Sequence, residues 1–415
     1  MTIIQSNSLS SNLTPYGGDL KDLLARDAII KQQLATEAKQ LPYIVLSDRQ
    51  LCDIEMIING GFSPLEGFMT QEEYNGVVEN MRLPNGSLWP IPIYLDIDDS
   101  SVTSPNDPSE HTPVSGVLPG TRIALLDKNS PDSSKAVAII TVEDTYSTDF
   151  TNEALKVYGS DDDLHPAVFY LFNSTKKTNV GGKIQAIKNV YHDDFTSLRK
   201  TPAETRQFFA SKDWERIVAF QTRNPMHRAH LELTMRAAKK TDSRVFIHPV
   251  VGLTKPGDID YVTRVKVYQI LIKHFPENTA YLSLLPLAMR MGGPKEAVLH
   301  AIIRRNYGAT LFIVGRDHAG PGKDKAGNLF YGPYEAQEVT LKHQEELGIE
   351  IVPFSNLSYI PEIDAYEEVD KIPVGTKTLD ISGTELRNRL KTGEDIPNWF
   401  SFTDVVQVLR DAYAN

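Results

Sequence analysis

Two short stretches of the chain hold more anion-seeking side chains than packing requires. Residues 221–230 read QTRNPMHRAH: Gln221, Thr222, Arg223 and Asn224 precede Pro225, and His227 and His230 follow, three apart. Residues 315–322 read GRDHAGPG, with Arg316, Asp317 and His318 after Gly315, then Ala319 and Gly320. The two stretches offer cations and hydrogen-bond donors, and a single acid, Asp317. That set suits holding anions better than moving protons. Arginine presents a planar fork to a tetrahedral oxyanion. Neutral histidine donates one N–H to a phosphoryl oxygen, and protonated histidine adds charge. Two histidines at this spacing could instead ligate a metal or lie on the surface. Against a metal, no cysteine or carboxylate stands at matching positions, since Glu232 lies two beyond His230.

Elements must place these residues. From 216 onward apolar strands alternate with helical patterns: RIVAF (216–220), RVFIHPVVG (244–252), AYLSLLPL (280–287), ATLFIVG (309–315) and GIEIVPF (348–354), with helices expected over 226–239, 261–274, 294–306 and 334–346. Nearly continuous apolar strands joined by helices imply a parallel sheet covered on both faces. Ligands of such sheets bind beyond the carboxyl ends of the strands. QTRNPMHRAH begins where the first strand stops, and GRDHAGPG where ATLFIVG stops. His227 and His230 are then expected in the first turn of a helix, where unpaired N–H groups and the helix dipole favour phosphate. Gly315 and Gly320 allow close approach of backbone to a ligand. A tight turn with a structural salt bridge through Asp317 accounts for the same loop. Lys255 in PVVGLTKPGDID and Arg290 before a double glycine are weaker cases, each equally a plain turn. Ser382-Gly383-Thr384-Glu385 fits a capping box; its alternative is a second phosphate-facing helix start, with Arg387 one turn in.

Residues 15–195 read differently. LPYIVL (41–46), WPIPIYLDI (89–97), TRIALLD (121–127), KAVAIITVED (135–144) and KIQAIKNV (183–190) are expected as strands, with helices near 51–59 and after Thr70. Short strands at this spacing predict a compact barrel or curled sheet. Thr201-Pro202-Ala203-Glu204 predicts a helix start. The expected organisation is a disordered tail over 1–14, a β-rich domain over 15–195, an α/β catalytic domain over 196–354 and a small region over 355–415 that carries Trp399 and Phe400.

The bulk numbers bound the function. The net charge of -11 over 415 residues argues against a broad nucleic-acid surface, though not against a local anion site. The lone Cys52, in LCDIEMII, excludes an internal disulfide and a multi-cysteine zinc site and reads as an inert core thiol. No apolar run reaches membrane-span length. The N-terminus has neither a basic region before an apolar block nor an arginine, so a cytoplasmic enzyme without membrane partners is expected.

Together, QTRNPMHRAH and GRDHAGPG resemble the active loops of the ATP sulfurylase (sulfate adenylyltransferase) family. HPVVGLTKPGDID, LSLLPLAMRM, FYGPYEAQE and CDIEMIINGGFSPLEGF resemble it too, so the likeness runs from about Gly17 to the last residues. It is nearest the fungal-like branch, whose members often add a C-terminal domain resembling adenylylsulfate kinase. No GxxxxGK[ST] P-loop occurs in this chain, so kinase activity or control through such a domain is not expected. The resemblance implies an α/β fold class: a β-rich PUA-like N-terminal domain, a Rossmann-like nucleotidyltransferase domain with a parallel sheet, and a small C-terminal α/β region. It implies the reaction of ATP with sulfate to give adenylyl sulfate and pyrophosphate. Sulfate is already a dianion, so no general base is needed. The task is to align two anions and neutralise developing charge. On matching positions, Gln221, Arg223 and the Ala319 N–H would bind sulfate. Asn224, His227 and His230 would contact the triphosphate, and Thr222 belongs to the same catalytic loop. Gly315, Arg316, Asp317 and His318 would form the nucleotide wall, with the Leu357 backbone near the adenine and Phe354 beside it. Mg2+ would arrive with ATP, zinc is not expected, and a homo-oligomer is. The competing readings are another HxxH nucleotidyltransferase with a phosphorylated acceptor, and a non-catalytic RNA-binding protein.

Overall fold

The computed structural model describes residues 14–132, 135–255 and 257–413. The tail expected over 1–14 lies outside them apart from Thr14. In the N-terminal part the order is α1 (Ala28–Ala38), β1 (Tyr43–Val45), α2 (Asp48–Ile58), β2 (Gly67–Phe68), α3 (Gln71–Asn80), β3 (Leu95–Ile97), β4 (Val102–Thr103), β5 (His111–Thr112), β6 (Arg122–Leu126), β7 (Ala136–Ser147), α4 (Phe150–Glu153), α5 (Pro166–Asn173) and β8 (Thr178–Ala186). The strands form one eight-stranded sheet in the order β2-β8-β7-β6-β1-β4-β5, with β3 also on β8. Only β1 against β6 is parallel. β7 shifts register between Val142 and Asp144, opposite Gly182. A Cβ on Gly182 would lie 2.1 Å from the Thr141 carbonyl oxygen, so this close strand crossing requires glycine. The strand expected over 89–97 shrinks to Leu95–Ile97. Pro90 and Pro92 have no N–H for a ladder, although Trp89, Ile91 and Ile93 are buried all the same.

α6 (Pro202–Ser211) starts with the capping box read from the sequence, Thr201 against Glu204. Then come β9 (Ile217–Phe220), α7 (Arg228–Thr241), β10 (Arg244–Ile247), α8 (Tyr261–Leu271), β11 (Ala280–Leu282), α9 (Gly293–Asn306), β12 (Leu311–Val314), α10 (Glu335–Lys342), α11 (Gln344–Leu347) and β13 (Glu350–Pro353). These five strands are all parallel, in the order β11-β10-β9-β12-β13. The chain direction across the sheet reverses between β9 and β12, which is where such a sheet opens a crevice. β9 shows why the strand lacks polar alternation. Ile217 and Ala219 enter the core shared with the N-terminal sheet, while Val218 and Phe220 enter the core on the opposite face. The strands are shorter than their apolar runs; β10 stops at Ile247, before Pro249. The helix expected over 334–346 is broken at His343 into α10 and α11.

The C-terminal part is a hairpin, β14 (Leu357–Ile360) with β15 (Ala365–Glu368), followed by α12 (Gly383–Thr392) and α13 (Thr403–Tyr413). Ile381, Leu390, Val405 and Leu409 pack with Val267 of α8. Two buried polar links tie the N-terminal part to the α/β part. Asn306 accepts the Tyr16 N–H and donates to the carbonyls of Gly61 and Ser63. Arg290 donates to both carboxylate oxygens of Asp53. Arg290, a weak candidate in the sequence, is therefore no anion ligand of a turn: it is 4% exposed and serves as a cross-link.

Candidate active site

The loops after β9 and β12 face each other across a cleft of about 380 Å³. Gln221, Thr222, Arg223, Asn224 and His230 line one side, and Gly315, Arg316, Asp317, His318 and Ala319 the other. His227 and Leu357 do not line it; Met289, Ser355 and Asn356, unmarked in the sequence, do. A larger cavity, about 630 Å³, lies beside Arg228, Tyr359 and Trp399 and holds none of the expected site residues. The Ser382–Arg387 segment borders neither space. Ser382 simply caps α12 through the Glu385 N–H.

The first loop is held by its own polar groups. The Thr222 hydroxyl donates to the Asn224 carbonyl and accepts the Asn224 N–H at 3.1 Å, so it shapes the turn. The Tyr268 hydroxyl donates to the same carbonyl from α8. Arg223 is ion-paired with Asp258, from the loop after β10. Gln221 receives a bond from Arg304 at 2.6 Å. α7 begins at Arg228, two residues later than its pattern predicts. His227 is therefore the N-cap, in extended conformation, and the two histidines do not share the first turn. The His227 ring still lies 4.1 Å from the His230 ring, and it stacks on Phe400 at 4.4 Å. The His227 backbone N–H donates to His230 Nδ1 at 3.2 Å. With Nδ1 accepting, the proton of neutral His230 sits on Nε2. Burial pushes His230 down to about 4, so it is neutral at physiological pH. Burial, with His230 alongside, holds His227 well below the usual range. The helix start thus offers neutral donors, not imidazolium charge.

The second loop is more strained. Asp317 and Ala319 both adopt left-handed backbone, φ 52° and 54°. The loop is pinned by Asp317 N–H to the Pro333 carbonyl and by Gly293 N–H to the Ala319 carbonyl. A Cβ on Gly320 would sit 1.9 Å from an Asp317 carboxylate oxygen, so a side chain there would displace the Asp317 carboxylate. Burial raises the Asp317 carboxyl above its usual value despite Arg316, Arg223 and Lys255 nearby. Lys255 Nζ donates to the Pro321 carbonyl at 2.7 Å, tying the loop after β10 to this one. His318 Nε2 lies 3.0 Å from His300 Nδ1 on α9. Burial is the main cause that holds His318 well below the usual range. Phe354 is a core residue, packed with Val352 and Ile313.

Sequence reasoning missed the layer behind the cleft: Glu296, His300 and Arg304, all 0% exposed on α9. Their signal was present as three ionisable residues at i, i+4 and i+8, one face of a helix whose middle, residues 297–303, is otherwise apolar. Cys52 is half-buried, and burial pushes its thiol up to about 12, which leaves it unreactive. Among the described residues no group of three or more His, Cys, Asp or Glu could hold a metal ion. No helix among them is long and apolar enough to cross a membrane.

Comparison with known proteins places this geometry among relatives. Residues 196–412 match the ATP-sulfurylase family model, and residues 13–189 match a PUA-like domain. A sulfate adenylyltransferase of Mycosarcoma maydis is 57% identical over 399 residues, covering 96% of this chain and 67% of that protein. One from Schizosaccharomyces pombe is 55% identical over 394 residues, covering 95% and 78%. Among solved structures, the chain is similar to a hexameric APS kinase from Thiobacillus denitrificans. The TM-score is 0.75 at 28% identity, over 96% of this chain and 68% of that one.

Proposed function

The chain belongs to the ATP-sulfurylase family, and on that premise we propose how its cleft divides the work of the family's reaction. The reaction is sulfate adenylylation: ATP and sulfate give adenylyl sulfate and pyrophosphate. A sulfate oxygen forms a bond to the α-phosphorus, and the bond from that phosphorus to the bridging oxygen breaks in line, releasing pyrophosphate. No proton moves, which fits a cleft whose expected site residues include one acid, Asp317. Gln221, Arg223 and Ala319 take the sulfate. Asn224 and the Nε2–H of His230 take the triphosphate, and Gly315 to His318 form the nucleotide wall. Thr222 acts by holding the turn. His227 acts at one remove, by fixing the His230 tautomer, and the Leu357 backbone, next to the cleft-lining Asn356, lies near the adenine. Mg2+ enters as part of the nucleotide, bound by phosphate oxygens and water. The boundaries near 195 and 354, a cytoplasmic location and a homo-oligomer complete the reading.

The observation that carries it is the meeting of two anion-seeking loops at the β9/β12 reversal. The test is exchange of labelled pyrophosphate into ATP. Exchange should require sulfate, and Arg223→Ala should abolish it while the thermal melt stays cooperative. Exchange without sulfate, or near-normal exchange by Arg223→Ala, would overturn the assignment. Light scattering tests the oligomer.

A further inference from the structure

We infer that Arg304, which lies outside the cleft, is the positioning residue for sulfate: its guanidinium holds the Gln221 carboxamide with the NH2 turned toward the substrate. The inference rests on Gln221 being a sulfate ligand. Arg304 is 0% exposed on α9, and its Nη2 donates to Gln221 Oε1 at 2.6 Å and to the His248 carbonyl at 3.0 Å. Guanidinium has no acceptor, so the Gln221 atom facing it must be oxygen. The NH2 then points away from Arg304 and donates one hydrogen to the sulfur of Met289, a cleft-lining residue, at 3.6 Å, which leaves its second hydrogen for the substrate. The direction matters for a dianion. An outward NH2 attracts it, and a flipped amide would present oxygen and repel it.

The setting of Arg304 supports a role beyond packing. No carboxylate among the described residues lies within ion-pair distance of it, and its Nε and Nη1 have no partner. The Phe312 ring, 5.6 Å away, compensates only weakly. A buried cation without a counter-ion is costly to keep. Burial pushes Arg304 down to about 9, which still leaves it charged at neutral pH. Its charge therefore stands behind the one residue through which it reaches the cleft. One turn earlier on the same face of α9, His300 contacts His318 of the opposite loop. The helix thus supports both walls from behind, and Arg304 supports the sulfate wall.

The experiment compares Gln221→Met, Arg304→Met, Arg304→Lys and the Gln221→Met/Arg304→Met double variant. It measures KM for sulfate, kcat, and the ATP Kd by calorimetry without sulfate. Each Met variant should raise the sulfate KM by about 10-fold or more, with the ATP Kd held within about twofold. The double variant should be no worse than the poorer single, because both changes remove one unit. Arg304→Lys should recover part of the loss, keeping charge without the fork. A normal sulfate KM in Gln221→Met would sink the sulfate assignment itself. A damaged Gln221→Met beside normal Arg304 variants would sink only the positioning role. Multiplicative losses, or an Arg304→Lys that weakens ATP and sulfate alike, would also sink it. If Arg304→Met does not fold, Arg304→Lys combined with Gln221→Met gives the same cycle.

Discussion

Removing one side of the Asp53–Arg290 pair should weaken the fold far more than removing both. Asp53 of α2 and Arg290 are each 4% exposed in their side chains, and the Arg290 Nη2 lies 2.7 and 2.8 Å from the two carboxylate oxygens. Asp53→Asn keeps the volume but leaves a buried guanidinium without its counter-charge. One-sided loss of a buried pair costs about 3–5 kcal/mol. The unfolding entropy, at about 2.1 cal/mol/K per residue, comes to roughly 0.9 kcal/mol/K for a chain of this length. The melting temperature should then fall by about 3–6 °C. Scanning calorimetry reads this directly, and Trp89, buried in the N-terminal core, gives a fluorescence check. Asp53→Leu with Arg290→Met should recover most of the loss, since apolar replacement of a buried pair is close to neutral. An Asp53→Asn melt within about 1 °C of the parent would refute the argument. So would a double variant that melts below either single one. The stake reaches the active site, because the Arg290 N–H holds Glu296 at 2.8 Å at the start of α9.

Two further outcomes follow from the histidines. His230→Ala should lower kcat by about 100-fold, the usual loss for a donor aimed at developing charge, with the ATP Kd nearly unchanged; equal losses in rate and ATP binding would mean ground-state contact only. His230, held at about 4 by burial, stays neutral in the fold where the unfolded chain takes up a proton below about 6.5. Folding stability should therefore fall as pH drops from about 6.5 toward about 4, losing about 2 kcal/mol to this one residue between pH 7 and pH 5. Glu153, pushed up to about 7 by burial, acts with the opposite sign. Urea midpoints of the parent against His230→Gln isolate the histidine, and equal pH slopes in the two would count against it.

What the sequence discloses follows the range of the forces involved. The parallel sheet is legible because β9, β10 and β12 are apolar on both faces, a pattern set by local burial. Start signals held by side chains within one turn, such as Thr201 with Glu204, are equally legible. Where a backbone donor is missing, apolar content misleads: WPIPIYLDI reads as a strand, yet its prolines confine the ladder to three residues. The chemistry divides the same way. The two loops stand out because their residue types have no packing rationale. Arg290 offers the same type beside glycines but is claimed by a carboxylate 237 positions away. No local pattern carries that information. His227 misleads by two residues, because spacing does not say whether a residue is inside a helix or capping it.

The burial of the histidines bears on where the cleft's positive charge comes from before any anion binds. Burial removes imidazolium as a source at neutral pH, leaving Arg223 and Arg316 in the walls, with Lys255 close by and Arg304 behind. Arg223 is already paired with Asp258, so two arriving anions meet less free charge than a residue count suggests. On the proposed assignment the remainder comes from dipoles: the His230 Nε2–H, the Gln221 amide and the backbone of the β12 loop. Dipoles fixed by the fold cost no reorganisation when charge shifts from sulfate to pyrophosphate. Their direction must be enforced, though, because a carboxamide can flip and an imidazole can change tautomer. His227 enforces one through its backbone N–H, and Arg304 the other through a guanidinium that cannot accept. A chain with a net charge of -11 can hold two anions together on these terms, with few cations and firmly oriented donors.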